Sequence, residues 1–126
     1  MRDYHDLAIW NRAMDFTAGV YRFTAGLPGA ERFNLCSQLR RAATSVPLNI
    51  AEGSGAASDP EFARFVGYAY RSLKEVLSGL ELCARLHPSS RTTALTTLVD
   101  EGTQLARMLH TFRARLTGAN ASESWQ

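Results

Sequence analysis

Residues Gln38 to Gly53 read QLRRAATSVPLNIAEG. Around and through this stretch the apolar residues Cys36, Leu39, Ala43, Val46 and Ile50 fall in steps of three, four, three and four. That is the spacing of one helix face. A proline inside a helix removes one N–H donor and crowds the carbonyl four residues back, at about 3 kcal/mol. The stripe does not stop at Pro47, so the sequence predicts a helix that bends there and continues. This second helix is expected from about Glu31 to Gly53, closed by Gly53-Ser54-Gly55, since glycine tolerates a left-handed cap.

Upstream, helix one is predicted from about Asp6, a possible N-cap, to Ala25, ahead of Leu27-Pro28-Gly29. Two apolar stripes run along it. One is Ile9, Ala13, Phe16, Val20 and Phe23; the other is Leu7, Trp10, Met14, Ala18 and Tyr21. Together they are wider than a single core-facing stripe. Either helix one is central, or its second stripe packs on another subunit. Trp10, Met14 and Tyr21 are the candidate interface residues. A face of this kind left in water is unusual for a monomer.

Downstream, Ser58-Asp59-Pro60-Glu61 is a strong helix start: a cap, a proline suited to the first turn, and an acid at the positive end of the dipole. Phe62, Val66, Ala69, Leu73, Val76, Leu80 and Cys83 then alternate in fours and threes until His87-Pro88-Ser89-Ser90. Phe65, Leu77 and Ala84 widen that stripe. Helix four is predicted from about Arg91 to Leu116, along Leu95, Leu98, Gly102, Leu105, Leu109, Phe112 and Leu116. Gly102 lowers helix propensity by about 1 kcal/mol relative to Ala; its place in the seam predicts close approach of a neighbour. No segment alternates as a strand would. Short loops make neighbouring helices antiparallel. The expected fold is all-α: an antiparallel up-down-up-down four-helix bundle over residues 1–117, with a proline kink in helix two. Residues 118–126 are expected to be a flexible tail unless they dock.

The chain has 126 residues, 45% of them hydrophobic and 21% charged, the balance of a single soluble domain with a real core. A net charge of +2 makes no strong demand for nucleic acid. Thirteen of the fourteen basic residues are Arg, with Lys74 the lone lysine. Arg suits bidentate phosphate and carboxylate contacts better than Lys, although a GC-rich genome also favours Arg codons. Cys36 and Cys83 fall on apolar stripes and read as small buried hydrophobes. The start, MRDYHDLAIW, has no signal-peptide core, and no apolar run reaches membrane-spanning length. A cytoplasmic protein with no membrane role is expected.

Two groups of polar residues are candidates for function. Gln38, Arg41, Ser45, Asn49 and Glu52 share one face of helix two. They read as a binding strip for a phosphate or partner, or as donors to the carbonyl near Ala43 that Pro47 leaves short. The structural reading carries more weight, because kinked helices commonly re-satisfy freed groups this way, and Arg41, Ser45 and Asn49 are the candidate donors, within the chain or across a subunit boundary. Arg40, Arg41, Arg64 and Arg71 form a basic patch if helices two and three lie side by side, with Tyr68 as a stacking surface. The plainer reading is a solvated face, with Glu75 pairing to Arg71 one turn back. His5, His87 and His110 are scattered and show no metal-ligand spacing, so no metal is expected. Gly53-Ser54-Gly55 lacks the lysine of a phosphate-binding loop and follows a helix, not a strand. Nothing meets the first steps of an active-site checklist, so no catalytic residue, enzyme activity or cofactor is expected.

Three stretches, HDLAIWNRAMDF from His5 to Phe16, SQLRRAATSVPLNIAEGSG from Ser37 to Gly55 and EFARFVGYAYRSLKEV from Glu61 to Val76, resemble the four-helix-bundle family of 23S rRNA intervening-sequence proteins. Of these, SVPLNIAEG is the most specific. The resemblance implies a homo-oligomeric bundle, typically a pentamer, with no known enzymatic activity. It also implies relatives encoded inside rRNA gene insertions. A related branch assists the reverse transcriptase of diversity-generating retroelements and binds nucleic acid. The partners implied are therefore copies of the chain itself, with structured RNA or a nucleic-acid enzyme beyond them. The chain departs from the pattern after AEG-x-G, where relatives carry basic residues and Gly55-Ala56-Ala57-Ser58 stands here. It departs again at ARLHPSS, where relatives tend to carry a glycine and an aromatic. Two functions follow as expectations: a non-catalytic nucleic-acid-binding ring that uses Arg40, Arg41, Arg64 and Arg71, or a scaffold for protein partners.

Overall fold

The structure, a computed structural model that describes residues 3–118, consists of four long helices: α1 Ala8–Ala25, α2 Leu35–Ser54, α3 Asp59–Leu86 and α4 Thr93–Thr117. Short 3-10 turns, Tyr4–Asp6, Gly29–Glu31 and Pro88–Ser90, precede α1, α2 and α4. No strand occurs among the described residues. The expected tail lies outside them from residue 119 onward.

Sequence chemistry sets the helix ends. Ser58 caps α3 by accepting from Glu61 N at 3.3 Å, and Thr92 caps α4 by accepting from Leu95 N at 3.2 Å. Gly118, at φ +71°, ends α4 in the left-handed region. Two expectations are corrected. Asp6 does not cap α1; it lies in the preceding 3-10 turn, which Asp3 caps by accepting from His5 N at 2.9 Å. α2 begins at Leu35, because residues Gly29–Glu31 form their own turn, and it ends without a left-handed glycine, Gly55 having φ −87°.

Pairs of touching residues give the topology. Thr17 meets Ala43 while Thr24 meets Cys36, so α1 and α2 are antiparallel. Gly53 abuts Phe62 and Phe65 while Gly79 abuts Leu39, so α2 and α3 are antiparallel as well. Gly102 abuts Leu77 and Arg113 reaches Ala63, which runs α4 back along α3; Gly102 also abuts Phe16, while Leu98 abuts Gly19, which closes the bundle onto α1. The close approach expected at Gly102 is present: a Cβ there would stand 2.7 Å from Leu77 Cδ2 and 2.8 Å from Phe16 Cε1.

The core follows the stripes. Ile9, Ala13, Phe16 and Val20 are buried, as are all five stripe residues of α2 and all seven of α3. Cys36 and Cys83 are buried free thiols; burial, with Cys36 and Glu31 nearby, pushes the Cys83 thiol up from its ordinary pKa. α2 runs on through Pro47. No helix among the described residues is long and apolar enough to cross a membrane.

Candidate functional site

Pro47 leaves the Ala43 carbonyl without its helical donor, and Ala43 is fully buried. The donor is Thr17 of α1, whose hydroxyl lies 3.0 Å from Ala43 O and 2.8 Å from Ala13 O. This corrects the expectation that Arg41, Ser45 or Asn49 would supply it. Ser45 Oγ donates to Ala42 O at 3.0 Å and Asn49 Nδ2 to Ser45 O at 2.8 Å, both within α2. Nothing in sequence spacing signals the bond from Thr17, since the two residues are brought together only by packing.

The polar seam instead borders a groove between α2 and α3. Phe33, Asn34, Ser37, Gln38, Arg41, Ala42, Ser45, Ser72 and Glu75 line this groove, about 510 Å³ in volume. Glu52 lies at the far end of the seam and is exposed.

The four candidate arginines part company. Arg40 is half-buried and belongs to the α1 terminus: its Nε donates to Thr24 Oγ1 at 2.8 Å and its Nη2 to Tyr21 O at 3.2 Å, with the guanidinium 4.6 Å from the centre of the Tyr21 ring. A cation there meets the last carbonyls of α1 and the negative end of its dipole, which is a structural use of the side chain. Arg41 and Arg71 are exposed and make no hydrogen bond or ion pair within the described residues. The expected Arg71–Glu75 pair is not formed; Glu75 lines the groove with Arg41. In the antiparallel register Arg71 lies within about 8 Å of Arg41 along the axis. Arg64 stands two turns further along α3, 3.7 Å from Glu61 and 5.5 Å from the Phe65 ring centre. Tyr68 stays 41% exposed, edge-on to Phe65.

A second surface runs along the outside of α1 and α2. Trp10 is half-buried against Tyr4 and His5, with ring centres 4.9 and 5.3 Å away. Met14 and Tyr21 are 46% and 43% exposed. Leu48, one turn beyond the Thr44 that Tyr21 approaches, is 62% exposed and level with Met14. Sequence reasoning missed Leu48, although its place between Val46 and Ile50, off their stripe, was the available signal. Phe33 was missed too: it stands three residues before Cys36, in step with the stripe, and lies outside α2, which begins at Leu35.

Among the histidines, His5 Nδ1 lies 2.7 Å from Asp3 Oδ1, and His87 Nε2 lies 2.6 Å from Glu31 Oε2. The hydrogen bond to His87 holds the Glu31 carboxyl below its usual pKa. No group of three or more His, Cys, Asp or Glu placed to hold a metal ion occurs among the described residues.

With this geometry in place, the chain can be set beside known proteins. The family model described as 23S rRNA-intervening sequence protein matches residues 5–111. A crystal structure from Bacteroides thetaiotaomicron, described as a protein with unknown function from the S23 ribosomal protein family, superposes with a TM-score of 0.73 at 21% identity, covering 84% of this chain and 98% of that one. At that identity the likeness is one of fold. No curated protein matches the chain.

Proposed function

The chain belongs to the family of 23S rRNA-intervening sequence proteins, and from that membership we propose that it is a non-catalytic, cytoplasmic RNA-binding protein that works as a homo-oligomer, a pentamer on the family pattern. One observation carries the RNA reading. Arg41 stands exposed and unspent in a groove lined by side chains that donate and accept hydrogen bonds, and Arg71, exposed and unspent too, precedes the groove residue Ser72 on α3. Guanidinium groups with free donors suit phosphate oxygens. Arg64 adds a weaker contact, and Arg40 is withdrawn from the set by its bonds to α1.

The test is fluorescence anisotropy of a labelled structured RNA at about 50 and 200 mM salt, a range over which binders of several phosphates lose orders of magnitude in affinity. Replacing Arg41 and Arg71 by Ala is expected to weaken binding across sequences. It should also flatten the salt dependence by about one unit of slope for each arginine–phosphate pair removed. No binding at low salt sinks the reading. The second reading, a scaffold for a protein partner such as a nucleic-acid enzyme, draws on the apolar surface of Met14, Tyr21 and Leu48. A partner retained after those residues are made polar would count against it.

A further inference from the structure

Phe33 is the most exposed large apolar side chain in the bundle, 87% open to solvent. It sits at the head of the α2–α3 groove, with the Arg32 guanidinium 5.1 Å from its ring centre. Along α2 from it, the Ser37 hydroxyl, Gln38 amide and Arg41 guanidinium make no hydrogen bond or ion pair within the described residues. By contrast, Ser45 and Asn49 on the same seam donate to their own helix. The fold therefore leaves one ring unburied and, beside it, a set of polar groups unspent.

From this juxtaposition we infer that the Phe33 end of the groove binds a single unpaired nucleotide, its base stacked on the Phe33 ring, its edge met by Ser37 and Gln38, and its phosphate held by Arg32 or Arg41. This rests on the RNA reading above and specifies which part of an RNA the site takes. A base in a duplex keeps both faces stacked and has no face to offer Phe33; bases in loops, bulges and ends do. Base–aromatic stacking tolerates any base, and a hydroxyl and an amide at the edge both donate and accept, so they select no one base. Leu82 and Leu86 of α3, 44% and 55% exposed, lie toward the same end of the bundle, so a contact between protein chains is the competing occupant, and the light scattering below separates the two.

The experiment compares a short, unstructured, labelled RNA with the same sequence as a blunt duplex, by anisotropy, against the unaltered chain, Phe33→Ala and Phe33→Trp. Light scattering is run on each protein. Phe33 is so exposed that neither replacement threatens the core. The expected result is tighter binding of the single strand, a loss of roughly 5- to 150-fold for it in Phe33→Ala, the worth of one stacked base, recovery in Phe33→Trp, and no change for the duplex. Single-strand binding that persists unchanged in Phe33→Ala overturns the stacking site and leaves the arginine reading standing. An unaltered protein that binds neither RNA overturns both. A change of mass in Phe33→Ala overturns the site in favour of Phe33 as a contact between protein chains.

Discussion

The bond from Thr17 to the Ala43 carbonyl shows how one residue on a neighbouring helix can make a proline tolerable. An unpaired buried carbonyl costs about 1–3 kcal/mol, and Thr17→Val removes the donor at nearly constant volume. We expect that variant to lose about that much stability in urea denaturation. In a Pro47→Ala background the backbone N–H at position 47 serves Ala43, so the same change should cost much less. Equal costs in the two backgrounds would show that the carbonyl is not what Thr17 serves. The glycines divide on similar grounds. A Cβ at Gly53 would stand 2.7 Å from Phe65 Cβ, which moves only with the α3 backbone. A Cβ at Gly79 would meet Leu39 Cδ2, the far end of a flexible side chain. Ala gains about 1 kcal/mol over Gly in a helix, and overpacking costs typically about 1–3 kcal/mol. Gly53→Ala should therefore lower the thermal midpoint and Gly79→Ala should leave it level or raise it; the reverse order would mean that α2 and α3 part more easily than their packing suggests.

At the level of elements, the helices and their inward faces were legible because each buried stripe keeps one period over several turns. The seven stripe residues of α3 and the five of α2 are all buried. Which group on one helix serves which on another was not legible, since that depends on register set by packing. Thr17 and Ala43 are one case. The contact of Glu31 with His87 is another, joining the turn before α2 to the end of α3 across 56 residues. The candidate site was half legible for the same reason. Sequence placed Arg40 and Arg41 side by side, but only the fold shows that Arg40 turns to the α1 terminus and Arg41 to the groove. The Glu31–His87 contact also carries a pH prediction. Glu31 titrates below its usual value in the folded chain, so the folded state holds fewer protons there than the unfolded state does. Its stabilising effect is complete above the usual glutamate range and is lost as pH falls through the lowered folded value. The stability difference between the unaltered chain and His87→Gln, read from urea midpoints, should shrink as pH is taken from neutral into that acid range. A difference independent of pH would mean that His87 acts through packing and not through the carboxylate.

For the whole molecule, the α1–α2 outer face and the α2–α3 groove adjoin along α2, since Leu48 stands seven residues, two helical turns, beyond Arg41. The proposed second copy on the outer face would then stand beside the groove, and this matters because the net charge is only +2, too little for one chain to hold a polyanion firmly through long-range attraction. Several copies on one RNA convert later contacts into intramolecular ones, and avidity can exceed single-site affinity by a factor of about 10²–10⁴. The proposed assembly and the proposed RNA binding are then coupled in a way that can be measured. Met14 and Leu48 are exposed and level with one another across the α1–α2 face, so Met14→Glu with Leu48→Glu should spare the core while placing like charges at a contact between copies. Light scattering at micromolar concentration is expected to give a multiple of the single-chain mass for the unaltered protein and the single-chain mass for the double variant, with helical circular dichroism unchanged. RNA affinity should fall with the mass although Arg41, Arg71 and Phe33 are untouched. A double variant that becomes monomeric yet binds RNA as before would uncouple the two and make each groove a complete site. An unaltered chain that is already monomeric would remove assembly from the proposal and leave Met14, Tyr21 and Leu48 to a different protein partner.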